Sequence, residues 1–357
     1  MWLENGTFER EFLYFDKIGK KYNINFKILT YGTNQDLKIE TLKNVEIFPM
    51  FLKSEKMPNK FICFIKSLFF PFFNLNSFRD IDIIKTNQLH GSWLAIIFKL
   101  VLKKPLIVRT GFDALLFSKH EKKSFLKIIF FSLLTKASLL FCDLYSVTSE
   151  SDYNFINSNF KFDNNKLKLR PNWVQLKNNL TPINDRENRY ISVGRLESQK
   201  NFKFLIEAFQ NINCKLIIVG SGSLKESLED FSSVQQVQLE IIKNLNHTSL
   251  LDLLEKYKIF LLASHYEGNP KVLLEAMSRG CVPIVSNIRN HSEIIINNHN
   301  GLIFDQNNIT SFLNAINKTS DLSFLEKLSK NAIETVVKNN SLNIFIDKDK
   351  KDIFNLS

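Results

Sequence analysis

Ser264-His265-Tyr266-Glu267-Gly268-Asn269-Pro270-Lys271-Val272-Leu273-Leu274-Glu275-Ala276-Met277 is the stretch from which the rest of the chain can be read. The apolar run before it, 259–263, reads as a buried strand. Gly268 permits a tight turn, Asn269 is a helix-capping residue type, and Pro270 suits a first helical turn. The segment is therefore strand, short loop and helix, with Glu267 in the loop and Glu275 on the helix behind it. A helix N-terminus presents backbone N–H groups to anions and other acceptors. Two carboxylates beside it suit a ligand that also carries hydroxyls, because an ionised carboxylate only accepts hydrogen bonds. The alternative, a surface strand–turn–helix with two incidental glutamates, is left open by this segment alone.

Strand and helix alternate outward from here in both directions. Downstream of residue 189, strands are predicted at 190–193, 215–219, 237–242, 259–263, 282–286 and 302–304. Helices at 202–210, 224–228, 249–256, 311–316 and 322–337 separate or follow them. Upstream, strands are predicted at 23–31, 45–50, 81–86, 106–109, 144–148 and 167–170. Helices are predicted from Phe12 to Ile18, at 92–102, over a long stretch 122–138, and at 149–157; residues 61–73 fit an amphipathic helix or a loop insertion. Pro171-Asn172-Trp173-Val174 and the polar run 177–188 break the pattern as a linker would. Such alternation argues for parallel sheets covered by helices on both faces. The fold class is thus α/β, with two doubly wound, Rossmann-like domains facing a cleft. The divisions fall at 1–172 and 173–338, and 339–357 forms a tail or helix packing back towards the first domain. Its charged run Asp347-Lys348-Asp349-Lys350-Lys351-Asp352 reads as a helix end on the surface.

A chain of 357 residues has room for roughly two domains. Its four cysteines, Cys63, Cys142, Cys214 and Cys281, are scattered and include no C-x-x-C pair, so neither a disulfide framework nor a zinc site is expected. The first residues contain no secretory apolar core, and the greasy stretches 61–73 and 125–147 are interrupted by charges or proline. These features point to a cytoplasmic protein. The net charge of +11 is unevenly placed: residues 1–180 carry about +11 and the remainder about 0. Lys99, Lys103, Lys104, Lys119, Lys122, Lys123 and Lys127 lie among Phe, Leu and Ile, which fits an anionic bilayer surface and a peripheral position at the inner face of the cell membrane. Nucleic acid would fit the charge, but no nucleic-acid-binding motif accompanies it. A solvated basic face is the third reading.

After the strand at 190–193 comes Gly194-Arg195-Leu196-Glu197-Ser198-Gln199-Lys200-Asn201. An Arg and a Lys in a strand-to-helix loop can hold a diphosphate from two sides. Gly220-Ser221-Gly222 follows the next strand, but Lys225 stands where a dinucleotide fingerprint needs its third glycine.

Glu267 and Glu275, seven residues apart, resemble the E-x7-E signature of the retaining GT-B-fold glycosyltransferases of family 4. Gly194-Arg195-Leu196 with Lys200-Asn201 resembles that family's diphosphate-binding segment. His291-Ser292-Glu293-Ile294-Ile295 and Asn300-Gly301-Leu302-Ile303-Phe304 resemble its continuation, so the likeness covers about 190–304. The resemblance implies that Arg195 and Lys200 bind the pyrophosphate of a nucleoside diphosphate sugar. Lys243 and Leu245 would flank the nucleobase. Glu267 would hold hydroxyls of the transferred sugar, assisted by the turn Gly268, Asn269, Pro270 and Lys271, and Glu275 would hold the ribose. Gly6 looks like the glycine that lets backbone approach the donor phosphates.

On the acceptor side the match is weaker. Thr86-Asn87-Gln88-Leu89-His90 and Arg109-Thr110-Gly111-Phe112-Asp113 end two strands and are expected to face the cleft. Some family members carry a histidine at the end of the second of these strands. This chain has Arg109 to Asp113 there, so His90, Arg109 and Asp113 are the candidates for that role. The first, central strand of the family's N-terminal domain is missing ahead of Met1. Either Met1 is internal to a longer protein or the domain has lost that strand, and the exposed edges that a loss would leave favour the first explanation. Asp80-Ile81-Asp82 has the D-x-D form of metal-dependent glycosyltransferases but precedes a strand instead of following one, so it reads as a strand boundary.

The resemblance implies a retaining glycosyltransferase that moves a hexose-type sugar from a nucleoside diphosphate sugar to a lipid-linked or cell-surface glycan, with no metal and no cofactor. A GT-B-fold sugar-nucleotide epimerase and a catalytically inactive sugar-nucleotide or membrane-binding subunit are the rival readings.

Overall fold

The structure, a computed structural model, describes residues 8–39, 42–52, 59–111, 113–243 and 245–356. They divide into two compact units. One holds Pro171–Phe345 with 149–151 and residues 8–9; the other holds Arg10–Thr148, Asp152–Arg170 and the described residues from Ile346 onward.

The second of these units contains two parallel sheets. β1 (Phe26–Thr33) pairs with β2 (Val45–Phe51), and β3 (Ile84–Lys85), β4 (Leu106–Arg109), β5 (Leu144–Val147) and β6 (Leu167–Leu169) form a sheet in that order. β4 and β5 are buried along their whole lengths, as strands covered on both faces must be. Residues 61–73 belong to the helix Lys60–Phe73, whose Pro71 sits in the last turn. The long helix expected at 122–138 is Phe125–Phe141, and a separate short helix, Ala114–His120, precedes it. Lys122 adopts a left-handed backbone (φ 49°), and that turns the chain between them.

The charged run 347–352 lies in the last turns of the helix Leu342–Phe354 with Asp347, Lys348 and Lys351 exposed, but Asp349 and Asp352, against expectation, are buried. Asp349 accepts from Lys85 Nζ at 2.5 and 2.6 Å and from the Tyr14 hydroxyl. Asp352 takes a two-point bond from Arg170, 2.6 Å from both Nε and Nη2. Alternating acid and base along a helix looks solvent-facing until the partners, far away in sequence, are known.

The other unit is one six-stranded parallel sheet. Its strands are β7 (Glu187–Val193), β8 (Leu216–Val219), β9 (Leu239–Ile242), β10 (Tyr257–Leu262), β11 (Val282–Ser286) and β12 (Leu302–Phe304). Their order is β12-β11-β10-β7-β8-β9. Alternate residues feed two apolar layers: Leu216, Ile218, Ile259 and Leu261 face one, and Ile217, Val219, Phe260 and Leu262 the other. Each such side chain contributes about 1.5–3 kcal/mol by leaving water. The chain runs outward from β7 through β8 to β9, then returns to place β10 on the opposite side of β7. The loops after β7 and β10 therefore leave in opposite directions and open a crevice at the carboxyl ends of those two strands, where sheets of this type bind ligands.

Candidate active site

The loops at this switch point are the two that carry the charged motifs. The loop after β7 holds Arg195 and ends in a single 3-10 turn, Ser198–Lys200; the loop after β10 runs from Ala263 to Pro270. They are tied together by backbone and side chain. His265 N–H donates to the Gln199 carbonyl at 2.9 Å, and Gln199 Nε2 donates to the Tyr266 carbonyl at 2.8 Å. A Cβ at Gly194 would stand 2.8 Å from Lys200 Cε, so a side chain there would displace the lysine stem that crosses the glycine. Gly220 lets the loop after β8 approach closely as well: its Cβ would lie 1.9 Å from the Gly194 carbonyl oxygen.

Lys200 and Glu267 meet at the centre. The Lys200 ammonium lies 2.5 Å from Glu267 Oε1, and the Ser264 hydroxyl donates to the same oxygen at 2.6 Å. Glu267 is 8% exposed. Burial works to raise its pKa, but the Lys200 charge, the electrostatic effect of His291 and these two hydrogen bonds outweigh it and hold the carboxyl below its usual range. It is a carboxylate at neutral pH. Lys200 has three N–H donors, so a bond to Glu267 leaves others for a second anion. Arg195 is exposed beside this pair, its Nη2 3.5 Å from Gln199 Oε1.

Behind them lies His291, fully buried. Its Nδ1 donates to the Ser286 carbonyl at 2.9 Å, which fixes the neutral tautomer, and burial pushes its pKa down to about 4. Ser286 in turn donates its hydroxyl to the Ser264 carbonyl at 2.7 Å, linking β11 to the loop that carries Glu267.

The helix after the loop is Lys271–Ser278, and its N-cap is Pro270 rather than Asn269. Gly268 is not among the left-handed residues; the turn closes without that freedom. The Asn269 side chain does other work: its Oδ1 accepts from Asn172 N–H at 3.0 Å, and its carbonyl accepts from Asn172 Nδ2 at 2.7 Å. Asn340 Nδ2 donates to the Asn172 carbonyl at 2.8 Å, so three asparagines brace the loop. Pro270 makes no side-chain cap bond to this helix, whose N-terminus faces the loop that carries Glu267.

Glu275, 4% exposed, lies one turn into this helix, and its Oε1 is 3.2 Å from His247 Nε2. His247 opens the helix His247–Lys256, which Asn246 caps by accepting from Ser249 N–H at 2.8 Å. Just upstream, Lys243 is exposed and Leu245 packs on the apolar layer. Sequence reasoning passed over His247, Ser264 and Gln199. Asn246 is a capping residue type that could have marked a helix start at His247, but nothing local places that start beside Glu275.

Of the remaining candidates, Gly6 and Phe112 lie outside the described residues. His90, Arg109 and Asp113 sit at the carboxyl ends of β3 and β4 in the other unit. Arg109 N–H donates to Thr86 Oγ1 at 3.0 Å and Gly111 N–H to Gln88 Oε1 at 3.3 Å, so the two strand ends are held side by side. Asp113 is buried as the N-cap of Ala114–His120 and accepts from Leu116 N–H at 2.6 Å. His90 is exposed, edge-on to Phe131 with ring centres 5.1 Å apart. Asp80 forms an ion pair with Lys27 at 2.6 Å.

Residues 176–335 match the family model described as Glycosyl transferases group 1. Over 213 residues the chain is 30% identical to the UDP-Gal:alpha-D-GlcNAc-diphosphoundecaprenol alpha-1,3-galactosyltransferase of Escherichia coli, covering 53% of this chain and 54% of that protein. The chain thus spans about half the length of that relative. It is 26% identical over 280 residues to an undecaprenol-linked glycan alpha-1,4-N-acetyl-D-galactosaminyltransferase of Campylobacter jejuni, covering 76% and 72%. The crystal structure of Anabaena HepE in complex with UDP and glucose superposes with a TM-score of 0.76 at 16% identity, covering 97% of this chain and 96% of that one. The chain has the α/β fold of the GT-B glycosyltransferases, with its group 1 match on the unit that holds Lys200, Glu267 and Glu275.

Proposed function

We propose that this protein is a glycosyltransferase that moves a sugar from a nucleoside diphosphate sugar to a lipid-linked glycan. One observation carries the reading: the loops that diverge at the β7/β10 switch point bring Lys200 against Glu267, with Arg195 beside them. A cation pair beside a helix N-terminus suits a diphosphate, and buried carboxylates suit hydroxyls. The E. coli and C. jejuni relatives are named for transfer to undecaprenol-linked glycans, which supports the acceptor class.

In this mechanism the bond between the anomeric carbon and the diphosphate oxygen breaks, and the electron pair leaves with the oxygen. Arg195, Lys200 and the helix N-terminus stabilise the charge that develops there, and supply it without a metal. An acceptor hydroxyl oxygen forms the new bond on the same face and its proton passes to the departing phosphate, which retains the anomeric configuration. Glu267 orients the sugar hydroxyls. Glu275, steadied by His247, accepts from the ribose hydroxyls. A screen of nucleoside diphosphate sugars by thermal unfolding tests the donor half. At least one is expected to raise the Tm of the wild type and to lose that effect in Lys200→Ala. Equal stabilisation of both proteins would remove the diphosphate role of Lys200.

A further inference from the structure

We propose that the exposed faces of the helices Lys60–Phe73 and Phe125–Phe141 form one surface that docks on an anionic lipid bilayer. Both helices bury one side and leave the other apolar in water. In Phe125–Phe141 the buried side is Leu134, Ser138 and Leu139, while Leu126 (77% exposed), Leu133 (62%) and Leu140 recur every seven residues on the opposite side. In Lys60–Phe73, Cys63, Ser67 and Pro71 face inward, and Phe61, Phe69 and Phe72 share the outer face. The helices are neighbours: the Phe64 and Phe130 rings are 6.4 Å apart, and both pack on Trp93. The two stripes therefore belong to one patch. A lone exposed leucine needs no explanation, but a patch spread over two helices marks an interaction site.

The charge selects the partner. Between 119 and 141 the chain has five lysines and one acid, Glu121, and the helix Lys60–Phe73 has no acid at all. Lys122, Lys123, Lys127 and Lys136 are exposed beside the leucines, and Lys66 beside the phenylalanines. Apolar side chains with a lysine rim match the acyl boundary and the anionic headgroups of a bilayer. A second copy would set lysine rim against lysine rim, because a two-fold interface pairs a patch with itself. Among the described residues no helix is long and apolar enough to cross a membrane, so the geometry is that of a surface lying in the interface. None of the residues that bind the donor in the proposed function takes part, so this inference stands or falls apart from that reading.

Sedimentation of the full chain with phosphatidylcholine vesicles, with and without phosphatidylglycerol, tests it. The wild type is expected to bind the anionic vesicles, less at high salt, and the double variants Leu126→Glu/Leu133→Glu and Phe69→Glu/Phe72→Glu to bind at least about tenfold more weakly. Because all four positions are exposed, circular dichroism and Tm in buffer are expected to stay near wild type. No binding by the wild type, equal binding by all three proteins, or a wild-type dimer that either double variant dissociates would overturn the proposal.

Discussion

His291 shows how much the candidate site depends on a residue that does no chemistry in it. The side chain is buried, its Nδ1–H is committed to the Ser286 carbonyl, and its Nε2 has no hydrogen-bond partner among the described residues. An unfolded histidine takes up a proton near pH 6.5, whereas the folded site resists protonation until about pH 4. Stability should therefore be complete above about pH 6.5 and decline as the pH falls towards 4. This one group accounts for about 3 kcal/mol over that range. His291→Asn should flatten the decline. Urea unfolding at pH 7 and pH 5 should show a smaller difference for the variant than for the wild type, and an unchanged difference would mean that His291 is not held neutral. Glu267 behaves in the opposite sense, ionised by Lys200 and Ser264 despite its burial. A neutral imidazole behind an ionised carboxylate keeps the Lys200–Glu267 pair from facing a second cation.

Elements explain which parts of this arrangement could be read in advance. The loop after β10 was legible because an apolar strand, a glycine, an asparagine and a proline punctuate it locally. The turn chemistry was not: Asn269 is drawn away from the helix by Asn172, 97 positions earlier, and Pro270 takes the cap. His247 escaped notice for the same reason, since its partner Glu275 is 28 residues on and no local pattern marks the pair. The burial of Asp349 and Asp352 in the helix Leu342–Phe354 was not legible because Lys85 and Arg170, which claim them, lie far back in the chain. Removing one partner of a largely buried pair leaves the other uncompensated. Asp352→Ala should destabilise its unit by about 3 kcal/mol, seen as faster amide hydrogen exchange in β5 and β6. Exchange at the wild-type rate would show that the Arg170 bridge is not holding that helix in place.

At the scale of the whole molecule, charge and chemistry are segregated. The net positive charge lies in the first 180 positions, while the pair Lys200–Glu267 and Glu275 with His247 sit in the unit matched to group 1 glycosyl transferases. The alternation of strand and helix disclosed both units, and motif spacing disclosed the charged centre of one. The proposed membrane surface depends instead on how helices pack and which faces they leave open, which single-sequence periodicity does not encode. The most direct test is transfer of sugar to undecaprenyl diphosphate-linked sugars from the nucleoside diphosphate sugar that raises the Tm of the wild type, read as release of the nucleoside diphosphate. Wild-type protein should release the nucleoside diphosphate only with acceptor present, and folded Lys200→Ala should be slower by about a hundredfold or more. Transfer by Lys200→Ala at the wild-type rate would contradict the site assigned here.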